Sequence, residues 1–396
     1  MLVVARSYPS EVLPTLGLWT ERPTRALNER CDVRVVSPVP YCPPLPSVRP
    51  LLQYTRFRHI PSRDVVNGVQ VIRPRYAAGP ATTLYALEPA AWSRALAPAV
   101  DRLYREWPFD LVHAHLAYPE GVAAARIARR FRVPLVISEH APWEPWLRRF
   151  GVARQVVPAA RTAAALLPVS TSVRDTMLGY LGSDAPPLDV VPPGVDGAAF
   201  PLGEAPRPRR ILFVGLLNFN KGLDVLFEAL ALLKGRGDPV ALTAVGGSHY
   251  RNTRLQEERI RRLPEALGIA DRVEFTGSLE PSRVASLMRE HAVLVLPSRA
   301  ESFGSVLVEA LASGTPVVAT RCGGPEDIVR DDVGRLVPVG DPPALADALA
   351  SVLDRSQSYA PDALRRFALE RFGLDRIVER IHEHYLALLP GERAAA

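Results

Sequence analysis

Residues 294–320 read LVLPSRAESFGSVLVEALASGTPVVAT. The apolar run Ala292–Pro297 has the length and branching of a strand buried on both faces. A polar loop with Glu301, Ser302, Phe303 and Gly304 follows it. From Ser305 to Ser313 apolar residues recur at helical spacing, and Pro316–Ala319 is again strand-like. Strand, loop, helix and strand in succession form the unit of a parallel α/β sheet. Glu301 precedes the helix and Glu309 lies just over one turn inside it. Backbone N–H groups around Phe303–Val306 are then the unpaired donors of a helix N-terminus. With the helix dipole they suit a diphosphate or a polyhydroxylated ligand. Gly304 permits close backbone approach. Two carboxylates placed here can accept hydrogen bonds from the vicinal hydroxyls of a sugar or a ribose.

The same alternation extends in both directions. Upstream strands are expected at Leu2–Ala5, Val33–Ser37, Val69–Arg73, Leu111–His115, Leu135–Ser138 and Leu166–Val169, with helices such as Thr20–Arg30 and Gly121–Arg130 between them. In the second half, strands are expected at Arg210–Gly215, Val240–Val245 and Arg272–Thr276, and helices at Leu223–Lys234, Arg254–Leu267, Pro281–Glu290 and Pro343–Leu353. The stretch VVPPGVDGAAFPLGEAPRPRR at 190–210 is rich in Pro and Gly and reads as a linker. The chain thus divides into a domain at 1–190, a linker at 191–209, a domain at 210–373 and a terminal helical segment at 374–396 that packs back toward the first domain. The fold class is α/β, with two Rossmann-like doubly wound domains facing across a cleft.

A second element, VGLLNFNKG at 214–222, places Lys221 in a strand-to-helix loop at the carboxyl edge of the sheet. A lysine is a compact point charge suited to phosphate. This lysine stands out because only Lys221 and Lys234 among 48 basic residues are not arginine. Charge is also unevenly placed. Residues 1–200 hold 23 Arg, no Lys and 16 acids, a balance of +7, whereas residues 201–396 hold 25 basic and 26 acidic residues, a balance of −1. Attraction for an anionic partner therefore belongs to the first half. The three cysteines, Cys31, Cys42 and Cys322, form no Cys-x-x-Cys pair, which argues against a disulfide framework or a zinc knuckle and for a reduced, cytoplasmic setting. No secretory leader or membrane-spanning segment is expected. No nucleic-acid motif accompanies the basic charge.

Taken together these motifs closely resemble glycosyltransferase family 4, retaining enzymes of the GT-B fold. ESFGSVLVE matches the family's Glu-x7-Glu motif, with ALASGTPVVAT after it. Supporting stretches are VGLLNFNKG, VVPPGVD at 190–196, PVSTSVRD at 168–175 and DLVHAHLAYPEG at 110–121. The resemblance implies a nucleoside-diphosphate sugar, UDP- or GDP-linked, held mainly by the C-terminal domain. It implies that Glu301 holds donor-sugar hydroxyls and that Phe303, Gly304 and Ser305 offer backbone groups to the sugar or diphosphate. Glu309 would hold the ribose, Lys221 the diphosphate, and Gly277-Ser278-Leu279 would flank the base. Gly17 would approach the donor phosphate, and His115 would be the active-site histidine. His113 shares a strand face with His115 and reads as structural.

One departure is clear. The family usually has an arginine five residues before the lysine, and Leu216 stands there. Loss of such a charge-assisted partner costs roughly 1.5–3 kcal/mol; Arg251, Arg254 or Arg321 could compensate. With no Asp-x-Asp triplet in the chain, a metal-independent reaction without a cofactor is expected. The acceptor would be a glycan, glycolipid or lipid-linked sugar. Trp143, Trp146, Arg148 and Arg149 in PWEPWLRRFGVAR offer it, or an anionic membrane at the inner face of the cytoplasmic membrane, a surface. The alternative is a sugar-nucleotide-binding relative with weak or no transfer activity. A nicotinamide-dependent oxidoreductase is disfavoured, because the first turn, ARSYPS, lacks the required glycines.

Overall fold

A computed structural model describes residues 1–41, 57–78, 85–144, 146–149, 151–203, 208–247, 251–355 and 358–389. Met1–Pro192 with Ile377–Ala396 form one compact unit, and Pro193–Arg376 form the other.

The N-terminal unit contains β1 (Leu2–Ala5), α1 (Leu18–Leu27), β2 (Arg34–Val36), β3 (Val39–Tyr41), β4 (Arg63–Val66), β5 (Val69–Ile72), β6 (Arg75–Ala77), α2 (Glu88–Glu106), β7 (Val112–His115), α3 (Val122–Phe131), β8 (Leu135–Glu139), α4 (Ala153–Arg161), β9 (Ala165–Pro168) and α5 (Thr171–Leu181). Its sheet order is β4-β5-β2-β1-β7-β8-β9, parallel except for the β4–β5 pair. The core strands β1, β7, β8 and β9 are buried along their whole length, as strands covered on both faces must be. Two features lay outside the sequence expectation. β4 is exposed on alternate residues and joins β5 through Asn67-Gly68, whose φ values of 48° and 82° make the tight turn that Asn-Gly favours. α2 buries Trp92, Leu96, Val100 and Leu103, a helical stripe with Pro89 in the first turn.

The second unit contains β10 (Arg210–Val214), α6 (Leu223–Gly235), β11 (Ala241–Val245), α7 (Arg251–Ala266), β12 (Val273–Gly277), α8 (Pro281–Glu290), β13 (Val293–Leu296), α9 (Ser305–Ala312), β14 (Val317–Thr320), β15 (Gly334–Val337), α10 (Pro342–Asp354) and α11 (Pro361–Phe372). The order β12-β11-β10-β13-β14-β15 is parallel throughout. The chain runs outward from β10 to one edge, then from β13 to the other. The topological switch point lies between β10 and β13; in the N-terminal sheet it lies between β1 and β7.

From Pro193 the stretch read as a linker groups with the second unit. Val195 N–H donates to Phe372 O at 2.8 Å, and Leu374 N–H donates to Val195 O at 3.0 Å. The Arg365 guanidinium binds the carbonyls of Gly197, Phe200 and Ala312. The final helix, α12 (Leu374–Leu388), returns to the N-terminal unit from Ile377. Tyr385, buried there, lies 2.6 Å from His113 Nδ1, and Arg380 and His384 both bind Asp189 at 2.9 Å.

Candidate active site

The loops after β10 and β13 leave adjacent strands at the switch point of the second sheet. Gly222 ends the first loop at φ 68°, and a Cβ there would lie 1.9 Å from Pro297 O; only glycine lets the two loops approach this closely. They are then joined by polar contacts. Arg299 N–H donates to Asn220 O at 2.7 Å, and Asn220 Nδ2 donates to Ala300 O at 3.2 Å. The Arg299 guanidinium binds Asp224 through two hydrogen bonds of 2.9 and 2.8 Å and also reaches Phe219 O.

On this scaffold Lys221 Nζ meets Glu301 Oε1 at 2.5 Å, with Ser298 Oγ donating to the same oxygen at 2.7 Å. Lys221 is 22% and Glu301 11% exposed, so the ion pair sits at the wall of the site with one side toward solvent. The Glu301 backbone is pinned to the turn after β14: its N–H donates to Cys322 O, and its carbonyl accepts from Gly324 N–H. Burial pushes the Cys322 thiol up to about 11, which keeps it protonated and unreactive at neutral pH.

Gly304 caps α9 at φ 94°, and Leu307 N–H donates to its carbonyl at 2.9 Å. The Phe303 ring is buried against Phe372, 5.6 Å between centroids, so this residue can offer a ligand its backbone and not its ring. Ser305 is exposed at the first position of α9, and Glu309 is half-buried one turn on. The structure thus brings Lys221, Glu301 and the start of α9 together. Gly277 closes β12 at the sheet edge, two strands from β10. Leu216 is 37% exposed and supplies no charge. Arg299 is committed to Asp224. Arg321, exposed just past β14, makes among the described residues only a backbone bond, to Val337 O; the side chains of Arg251 and Arg254 lie outside the described residues.

In the N-terminal unit, Gly17 caps α1 at φ 81°, and a Cβ there would fall 2.2 Å from Ser7 O. His115 ends β7 but is only 5% exposed, and its Nδ1 lies 3.0 Å from His140 Nε2 with the rings stacked at 12°. His140, just past β8, is the more exposed imidazole of the pair. The sequence reading passed over it, although its position after a buried strand carried the same signal as that of His115. Burial lowers His140 to about 4 and His115 well below the ordinary histidine range, so both are neutral and share one hydrogen bond. His113 lies wholly in the core between Tyr385 and Ser138 Oγ.

Trp143 is a correction. It is fully buried, with its indole N–H donating to Glu139 at 3.0 Å, so it is core and not an acceptor or membrane surface. Apolar area drives a tryptophan inward wherever a buried acceptor can satisfy its N–H. Arg148 pairs with exposed Glu144 at 2.8 Å, and Arg149 stacks over Tyr85. The Trp146 side chain lies outside the described residues.

Comparison with known proteins adds to this geometry. Residues 198–367 match the profile described as Glycosyl transferases group 1, and residues 20–198 that described as Glycosyltransferase Family 4. The D-inositol 3-phosphate glycosyltransferase of Acidothermus cellulolyticus is 33% identical over 320 residues, which cover 73% of this chain and 69% of that protein. The sucrose-phosphate synthase of Thermosynechococcus elongatus has a similar fold, with a TM-score of 0.80 and 19% identity over 98% of this chain and 99% of that one. Anabaena HepE, solved in complex with UDP-glucose, gives a TM-score of 0.73 at 21% identity, with 98% and 99% covered.

Proposed function

Since the chain belongs to glycosyltransferase family 4, with its two Rossmann-like halves, we propose that the Lys221–Glu301 site is where it holds a nucleoside-diphosphate sugar during retaining transfer to an acceptor hydroxyl. The observation that carries this is the convergence of Lys221, Glu301 and the α9 N-terminus at the switch point between β10 and β13. A diphosphate at that point finds a cation, helix N–H groups and the positive end of a dipole. Lys221 neutralises charge that builds on the diphosphate as the anomeric C–O bond breaks through an oxocarbenium-like state. Glu301 is left to orient sugar hydroxyls once Lys221 turns to phosphate, and Glu309 takes the ribose. Arg321 is the second cation in place of the arginine that Leu216 displaces. The donor is a UDP-sugar, a reading supported by the UDP-glucose complex of HepE.

On the acceptor side, the His115–His140 pair presents a neutral imidazole edge at the carboxyl end of the N-terminal sheet. Without Trp143 the case for membrane contact rests on Arg148, Arg149 and the positive balance of the first half. No helix among the described residues is long and apolar enough to cross a membrane.

The test is a panel of nucleotide sugars, with released nucleoside diphosphate and thermal shift as readouts. A UDP-sugar is expected to raise the melting temperature and to release UDP. Binding without any release, with every acceptor class offered, would establish the alternative of a sugar-nucleotide-binding relative.

A further inference from the structure

Glu139 closes β8 and is wholly buried. Its carboxylate accepts hydrogen bonds from two loops. Oε2 accepts from Ala117 N–H at 2.9 Å and from the Trp143 indole at 3.0 Å, and Oε1 accepts from Ala141 N–H at 3.1 Å. Ala117 lies on the turn after β7, whereas Ala141 and Trp143 lie on the loop after β8. The same two segments carry imidazoles. His115 is two residues before Ala117, and His140 is the residue before Ala141. In the parallel β7–β8 pair His115 stands opposite Ser138, so Glu139 and His140 follow it at the carboxyl end of the sheet.

The backbone beside them is strained. Leu116, directly after His115, sits at φ 92° and ψ 142°, a region that a residue with a Cβ rarely enters. Such a conformation persists only where its surroundings over-determine it. Here Leu116 N–H donates to Ser138 O at 2.7 Å, its carbonyl accepts from Gly121 N–H at 3.0 Å, and the Glu139 carboxylate takes the next N–H along the chain. Burying a carboxylate is costly, and an apolar side chain would fill the same volume at less cost. What a carboxylate supplies is a pair of acceptor oxygens able to bind N–H groups that diverge from two loops. The bridge keeps His115 Nδ1 3.0 Å from His140 Nε2. With Nδ1 engaged, Nε2 is the His115 nitrogen without a partner among the described residues, and the bond to His140 decides whether it carries the proton.

We propose that Glu139 is a positioning residue for sugar transfer: its carboxylate ties the turn after β7 to the loop after β8, and so fixes the His115–His140 pair and with it the orientation and tautomer of His115. The proposal rests on the transferase reading above. Glu139 touches no ligand; it acts through the imidazoles. Misplacing a reacting group by about 1 Å can cost on the order of 100-fold in rate, and the Glu139 bridge is what opposes such a shift at His115. UDP binding, which rests on Lys221 and the start of α9, does not depend on the bridge. Loss of the bridge therefore lowers turnover and leaves nucleotide affinity in place.

The test compares Glu139→Gln with Trp143→Phe, well below the melting temperature of each. Turnover is read as UDP released from UDP-glucose, and UDP affinity by calorimetry. Glu139→Gln keeps the volume but turns an amide N–H2 toward a donor. It is expected to lower kcat by about tenfold or more, with UDP affinity within about twofold of wild type. Trp143→Phe removes a hydrogen bond from the same carboxylate and leaves both loop N–H bonds standing. It is expected to lower the melting temperature and to keep kcat within about threefold of wild type. A merely structural Glu139 would move the two variants alike. Unchanged kcat in Glu139→Gln, equal losses in the two variants, or an equal loss of turnover and UDP affinity overturns the proposal. If Glu139→Gln does not fold, His140→Ala is expected to lower kcat by about tenfold or more, and His140→Gln, whose amide nitrogen falls near the place of Nε2, to recover part of it. Full turnover in His140→Ala, or no rescue by His140→Gln, likewise overturns it. The imidazole nitrogen-15 shifts of His115 and His140 report the bridge without turnover. They are expected to move in Glu139→Gln and to stay in Trp143→Phe; unmoved shifts in Glu139→Gln overturn the proposal. A wild type that neither binds UDP nor releases it from UDP-glucose would instead count against the transferase reading, and the shifts would still decide the bridge.

Discussion

Two buried carboxyls set the pH behaviour of the N-terminal unit. Glu139 accepts from Ala117 N–H, Ala141 N–H and the Trp143 indole, and burial still raises it to about 7. Glu120, whose Oε1 accepts from Arg6 N–H and whose Oε2 has no hydrogen-bond partner among the described residues, is raised by burial to about 8 against the pull of the Arg6 guanidinium. Their folded-state pKa values exceed the ordinary 4.5, so the native state binds the extra protons. Their contribution to stability is complete below about pH 4.5 and is lost as pH rises through 7 and 8. The buried imidazoles act with opposite sign. His113 falls to about 3 and His140 to about 4, so their contribution is present above about pH 6.5 and is lost as pH falls toward those values. Melting temperature against pH is therefore expected to decline on both sides of a maximum. Glu120→Gln should flatten the alkaline limb, leaving the variant more stable than wild type at pH 9; equal slopes would mean that Glu120 is ionised in the fold. At the proposed donor site, Glu301→Gln is expected to lower kcat/KM by about 100-fold or more with a smaller change in nucleotide binding. Unchanged turnover would remove Glu301 from the site. The placement of Glu301, Glu309 and Lys221 was legible because each sits at a fixed offset from a strand end or helix start. Trp143, Glu120 and Glu139 were not, since their burial depends on partners distant in sequence, on α5, on β1 and on the turn after β7.

Among the elements, those with local signals were readable and those defined by pairing were not. α8 and α10 begin at prolines in the first turn, and Asp341 caps α10 by accepting from Ala344 N–H at 2.9 Å. The Asn67-Gly68 turn is also a local signal, but β4 has too little apolar character to announce the strand that the turn serves. The loops after β10 and β13 are tightly constrained by backbone. Gly222→Ala would need a left-handed φ in the place where its Cβ meets Pro297 O, and should cost about 2 kcal/mol or more. Lys221 is the preceding residue, so calorimetric UDP affinity should fall with the melting temperature. A Gly222→Ala protein that melts and binds UDP like wild type would show that the loops can separate freely.

On the scale of the whole molecule, the alternation of strand and helix made two doubly wound units readable, while the true course of the chain between them was not. The apolar spacing of α12 predicted a packed helix; which strands it covers depends on Tyr385 and Asp189 contacts that no local pattern encodes. Tyr385→Phe removes the partner of His113 Nδ1 inside the core and should destabilise the N-terminal unit by about 1–3 kcal/mol. A lowered first transition in a two-step melt, with the UDP-stabilised transition unmoved, is the expected result. Loss of both transitions together would mean that the units unfold as one.

The N-terminal unit is discontinuous, interrupted after Pro192 and resumed at Ile377, and His113 meets Tyr385 across 272 residues. A ribosome adding about 5–20 residues per second needs roughly 15–55 s to cover that separation. For that interval the first-made sheet exists without its last helix, and the histidine in its core lacks one partner. Pro193–Arg376 is continuous and can close as soon as it emerges. The half synthesised first is thus the half completed last.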